Sequence, residues 1–188
     1  YYKIRNKLIA RIKIFSKNYE TNNYNYIDNF IVNEDSFDLE GFKFYFLNKT
    51  IAFETIDAVD FGTMEYGELW CYHLNYFDYA NQENNNPNII INLISIYVKN
   101  NYDSLHITND PYPISMRIVN MIKFISDNRH SLSHDHASLI NNLINKDINT
   151  LEANIEYHLM GNHILENYLT LIMYSLYFSN KELFNKYE

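Results

Sequence analysis

A single cysteine, Cys71, stands in this 188-residue chain, so neither an internal disulfide nor a multi-cysteine metal site can form. That usage fits a reducing compartment. Glycine is nearly as scarce, at four residues, and none of them builds a phosphate-binding loop or a Gly-x-Ser-x-Gly elbow. No apolar run reaches the roughly 18 to 20 residues that a membrane span requires. Basic residues are short too. Fifteen Lys and Arg face 23 Asp and Glu, a formal charge of −8, which argues against a nucleic-acid partner. Six of the fifteen lie between Lys3 and Lys17, leaving nine basic against 23 acidic residues, a net of −14, for the remainder. An acidic ligand must therefore be held by local donors against an unfavourable mean field.

What the chain does have is apolar and aromatic. A hydrophobic fraction of 47% over 188 residues suffices for one domain with a real core. Aromatics make up 16%, led by 18 Tyr. The excess of Asn, Ile, Lys and Tyr reads first as AT-rich codon bias. Most Tyr are expected in the core with the hydroxyl at its edge, although clustered rings can also stack on sugars.

Periodicity predicts mostly helix. Ile4, Leu8, Ile12 and Phe15 mark a basic amphipathic helix over 2–17, and residues 18–36 read as a loop. Phe42, Phe44 and Phe46 alternate with Lys43 and Tyr45, the pattern of a strand; Asn48-Lys49 turns the chain, and Ile51 and Phe53 return as a hairpin. Four apolar stripes follow: Ile90 to Val98 after Pro87, Ile114 to Ile125 with Pro113 in its first turn, Ile140 to Ile155, and Leu165 to Leu176 beyond Gly161. Ser179 and Glu182 match a capping box that opens a last helix at Leu183. Amphipathic helices with short connections favour antiparallel pairs in one helical domain over 1–188.

Where the third stripe gives way to the fourth stands Leu159-Met160-Gly161-Asn162-His163. An amide can donate to a carboxylate, and a neutral imidazole can take a proton near neutral pH. A polar pair at a helix junction is the simpler reading of the same residues. Four separated segments give the pair a context: Phe42 to Asn48, Leu69 to Tyr79, Asp110 to Asn120, and Leu151-Glu152 with Ile155 to His163. In order, spacing and content they resemble the N-terminal helical domain of the heparinase II/III-like polysaccharide lyases, over roughly residues 40 to 180.

The resemblance implies an all-α fold, an incomplete (α/α) toroid of antiparallel helix pairs, with a short β-hairpin near residues 42–54. It implies β-elimination on uronic-acid glycans without a cofactor, and an acidic polysaccharide or oligosaccharide as partner. Asn162 takes the role of carboxylate donor, and His163 that of proton transfer or carboxylate binding. The Tyr acid and further His residues of the family follow these segments, as does its C-terminal β-sandwich. This chain, which opens at Tyr1 without a visible signal peptide, is thus expected to be the N-terminal part of a larger protein. Alone it is expected to turn over little. The family is often exported, which implies a periplasmic or secreted setting; the residues themselves leave the compartment open.

Other candidates keep two readings each. Trp70, Tyr72 and Tyr76 can be sugar-stacking platforms or interhelical packing, and His73 and Asn75 can make polar contacts with sugar. Arg117 can bind a sugar carboxylate bidentately or pair with an internal acid. His158 can orient the Asn162–His163 pair or serve structurally. His130, His134 and His136 suggest a metal by spacing, but their Ser, Asn and Asp neighbours suggest an exposed turn, and no metal is expected. Two further function classes stand beside the lyase. One is a non-catalytic glycan-binding or polysaccharide-biosynthesis-associated module; the other is a helical scaffold that uses the basic first helix.

Overall fold

The computed structural model describes residues 24–27, 33–100, 102, 105–157, 159 and 161–188. The expected basic helix over 2–17 lies outside them. Among the described residues the chain is mostly helical with a small three-stranded sheet. No helix among them is long and apolar enough to cross a membrane.

The sheet is an antiparallel meander of β1 (Phe37–Asp38), β2 (Lys43–Phe46) and β3 (Lys49–Ala52). Alternation works as expected: Phe44 and Phe46 are buried, Lys43 and Tyr45 exposed. The turn, however, falls at Leu47-Asn48, both with left-handed φ (53° and 59°), and Lys49 already pairs with Phe46. A two-residue turn with positive φ at both positions matches the twist of the flanking strands, which sets the register one residue earlier. The short β1 follows directly on the expected loop over 18–36, where no periodic signal marked it. Buried Gln82 holds it from outside the sheet, accepting from Ser36 N and Phe37 N and donating to Phe37 O at 3.2, 3.1 and 2.7 Å.

Among the described residues six α-helices follow: α1 (Glu68–Tyr76), α2 (Pro87–Lys99), α3 (Pro111–Asn128), α4 (His134–Ala153), α5 (Asn162–Tyr177) and α6 (Lys181–Tyr187). Their starts are legible chemistry. Asn86 caps α2 with Pro87 at its first position, and Ser133 caps α4 by accepting from His136 N. The last helix is capped by Asn180, which accepts from Leu183 N at 3.0 Å. The Ser179–Glu182 capping box is not used, because Ser179 sits in the left-handed turn that ends α5 (φ 55°).

Helix α3 is the hub, packed against α1, α4 and α5. Its stripe Ile114, Ile118, Met121, Ile122 and Ile125 is fully enclosed. On α5 the apolar periodicity holds only in part, with Leu169 and Met173 buried. Asn167, Thr170 and Ser175 are buried while Leu165, Ile172 and Leu176 are only half-buried. The face is turned because Asn167 Nδ2 donates to Ser115 Oγ (3.0 Å) and Thr170 Oγ1 to Ser115 O (3.2 Å), so small polar residues form the α3–α5 seam.

Between α1 and α2, Asp78 accepts from Tyr79 N at 2.8 Å, yet burial pushes its carboxyl up to about 6 despite that donor and Lys123. A folded value above the unfolded one means the native state binds the extra proton, so stability falls as pH rises from about 4 to 6. Asp78→Asn keeps the acceptor and removes the charge. We expect it to gain about 1 to 2 kcal/mol at pH 7, or roughly 3 to 6 °C in melting temperature, and nothing at pH 4. Equal gains at both pH values in paired thermal melts would discount the buried charge as the cause.

Candidate functional site

Three helix ends meet where the sequence placed its polar doublet. Gly161 precedes α5 with φ 123°, a region that side-chain-bearing residues rarely adopt, and this lets the chain swing into the helix at Asn162. Asn162 and His163 are therefore the first two residues of α5, Asn162 exposed and the His163 side chain 45% exposed. The N–H groups of that first turn, which have no acceptor within the helix, and the helix dipole favour a negative charge beside them.

The imidazole of His163 is held from two sides. Its Nδ1 lies 3.2 and 3.1 Å from the two carboxylate oxygens of Glu156, and its ring lies 4.6 Å from that of Tyr112 in α3. Glu156 is itself fixed by its backbone, whose N–H donates to Asn167 Oδ1 at 3.1 Å. A carboxylate on Nδ1 orients an imidazole, leaving Nε2 to exchange a proton with a ligand.

Rings continue the site into α1. Tyr112 packs edge-on against Tyr76 at 6.0 Å, Tyr76 lies 5.0 Å from His73, and His73 stacks on Phe46 of β2 at 5.6 Å. Burial lowers the pKa of His73, which favours the neutral imidazole. One turn before Tyr76, Tyr72 donates its hydroxyl to Asp110 Oδ2. Burial, and for Tyr72 then the bond to Asp110, holds both phenols above their ordinary value, so both remain protonated. The result is a strip of a base-type imidazole, proton-bearing phenols and an exposed amide, suited to carboxylate binding and proton transfer.

Of the eight residues proposed from sequence, the structure brings together Asn162, His163, His73, Tyr76 and Tyr72, but Tyr76 is buried, so its ring supports the strip from beneath and is no open stacking platform. Three others are interior and are set aside as ligand contacts. Trp70 is 1% exposed, donates Nε1 to Lys49 O and packs on Phe46, so its ring is closed to sugars. Asn75 is sealed, with Nδ2 on Phe61 O and Cys71 O, both at 2.8 Å. Arg117 is paired with an internal acid, Asp147, instead of facing a groove. His158 lies outside the described residues. His130 sits in the turn before α4 while His134 opens that helix, so the two do not share a helical face. No group of three or more metal-ligating side chains occurs among the described residues.

Glu156, Tyr112 and Asp110 were not singled out as site residues, although all three lie in the segments that carry the family resemblance. Glu156 precedes His163 by seven residues across a helix break, where no helical spacing rule connects them. Adjacent to the site, Cys71 donates to Phe61 O at 3.3 Å, and burial pushes its thiol up to about 11. We expect the native protein at pH 8 to resist iodoacetamide and the urea-unfolded chain to react fully; rapid native alkylation by mass shift would refute this burial.

No protein-family model, curated protein or solved structure matches the chain.

Proposed function

We propose that this chain is the substrate-binding helical domain of a polysaccharide lyase that cleaves uronate-containing glycans by β-elimination, as its resemblance to the heparinase II/III-like lyases implies. In this reading the helices belong to an incomplete (α/α) toroid of antiparallel pairs. The observation that carries it is the exposed Asn162–His163 doublet at the start of α5, with the imidazole oriented by Glu156 and backed by Tyr112.

Elimination removes the proton at C5 of a uronate and expels the C4 oxygen. The ionised carboxylate on C5 opposes this, since the transition state adds negative charge to the same group. Asn162 and the free N–H groups at the head of α5 offset that charge, an effect worth about 3 to 4 kcal/mol in comparable oxyanion sites. His163 takes the C5 proton on Nε2 while Glu156 steadies the imidazolium. Tyr112 backs the imidazole, and buried Tyr76 links it to His73 and Tyr72 farther along the strip. In the resembled family the phenol that protonates the C4 oxygen follows these segments, so this chain supplies carboxylate binding and the base.

The test uses the complete gene product on a panel of polyuronates, read by the absorbance of the unsaturated uronate formed. Near-normal elimination by both Asn162→Ala and His163→Ala removes the assignment. Binding without elimination by the unaltered protein shifts the function to a non-catalytic glycan-binding module.

A further inference from the structure

Both supports of the His163 ring trace back to one buried side chain. Glu156, whose carboxylate meets Nδ1, belongs to the connector between α4 and α5, and Tyr112, which backs the ring, belongs to α3. Asn167 of α5 touches the backbone of the first and the helix of the second. Its Oδ1 accepts from Glu156 N at 3.1 Å, and its Nδ2 donates to Ser115 Oγ at 3.0 Å, one turn beyond Tyr112 on α3. Thr170, one turn further along α5, adds a bond from Oγ1 to Ser115 O at 3.2 Å.

The direction of this bridge is fixed. Glu156 N can only donate, so the amide turns its oxygen to the connector and its nitrogen to Ser115. Asn167, Ser115 and Thr170 are all 0% exposed. Burying an amide and two hydroxyls gains less than burying aliphatic groups of the same size, because each bond to protein replaces one to water. An apolar seam would hold α3 against α5 at least as well. It would not set the connector in one place, since apolar contacts have no direction and hydrogen bonds do.

We propose that Asn167 is a positioning residue of the site. It holds the Glu156 carboxylate on His163 Nδ1 and ties the connector to the helix that carries Tyr112, so the imidazole presents Nε2 to substrate in one orientation. Sealed in the seam, it acts on substrate only through Glu156 and His163. The proposal rests on the elimination reading for what His163 does with its proton, and on the geometry alone for how the ring is held.

Nitrogen NMR of the complete gene product, labelled at histidine, reads the ring directly. An ionised carboxylate can only accept, so neutral His163 is expected to carry its proton on Nδ1 in the unaltered protein. Folded Asn167→Ala is expected to populate the Nε2–H tautomer as well, to lower kcat for elimination about 10- to 100-fold and to leave KM within about twofold. In a Glu156→Gln background the same substitution is expected to cost less than about threefold, because the route it acts through is already broken. Should Asn167→Ala not fold, Asn167→Leu with Ser115→Ala keeps the volume of the seam, removes the same bridge and is expected to give the same spectra. Unchanged His163 nitrogen shifts in either folded variant overturn the inference, and so does a kinetic loss that simply adds to that of Glu156→Gln. Absence of elimination by the unaltered protein removes the lyase reading instead, and the nitrogen spectra still decide the role of Asn167.

Discussion

Replacing Arg117 by Met is expected to remove about 3 to 5 kcal/mol of stability, the largest single loss available in this fold. Arg117 and Asp147 are 0% and 2% exposed and form a two-pronged pair, Nε to Oδ2 at 2.7 Å and Nη2 to Oδ1 at 2.9 Å. Nη1 also donates to Thr108 O at 3.1 Å, and the guanidinium lies 5.2 Å from the Tyr97 ring centroid. Truncating the Arg strands a carboxylate inside the α3–α4 interface, and the desolvation of that charge dominates the cost. Since whole domains are stable by only about 5 to 15 kcal/mol, the variant should sit near its unfolding threshold. Lys is a poor substitute because one ammonium cannot reproduce the fork. Replacing both partners together, Arg117→Met with Asp147→Leu, should recover most of the loss, because no unpaired charge remains. The single Trp, buried Trp70, reports unfolding by its emission in urea titrations. A single-variant loss below about 1 kcal/mol would mean that Asp147 finds water or another donor, and would sink this account. The pair also reaches the candidate site: Thr108 lies in the turn just before Asp110, which receives Tyr72, and Tyr112, which supports His163.

The second large effect concerns turnover. Under the elimination reading, Asn162→Ala in the complete gene product is expected to lower kcat by about 10²- to 10³-fold, with a smaller change in KM, because the amide acts on charge that grows in the transition state. Stability should barely move, since Asn162 is exposed and its side chain makes no hydrogen bond among the described residues. That contrast separates a chemical role from a structural one. His163→Ala removes the base and should cost about 10²- to 10⁴-fold. Glu156→Gln leaves an acceptor oxygen near Nδ1 but no charge to favour the imidazolium, so an intermediate loss is expected, larger in kcat than in KM. If Asn162→Ala raised KM alone, the amide would be a ground-state contact and the proposed stabilisation of developing charge would fall.

Much of the scaffold was legible because its signals are local. Alternation of Phe44 and Phe46 with Lys43 and Tyr45 specifies a two-faced strand, and Pro87 and Pro113 mark the first turns of α2 and α3. The site was legible only in part. Asn162 and His163 stand out by type and by the preceding Gly161, whereas Glu156 and Tyr112 reach His163 only after α3 and α5 have packed. The α5 face was legible only in part for the same reason, Leu169 and Met173 being buried as expected. Asn167 and Thr170 look solvent-facing by hydropathy, yet Ser115, more than fifty residues earlier, gives each a partner in the seam.

By itself the sequence determined the helical class, the hairpin, the first turns at Pro87 and Pro113 and the polar doublet, because turn chemistry and apolar periodicity act within one or two turns of chain. Tertiary structure decided which polar groups are interior. Arg117 meets Asp147 thirty residues away, Asn75 turns inward to Phe61 O, and Trp70 closes over Lys49 O, leaving His73 and Tyr72 to line the site over buried Tyr76. Burial of a polar group is decided by whether a distant partner arrives to satisfy it, and no local pattern records that partner.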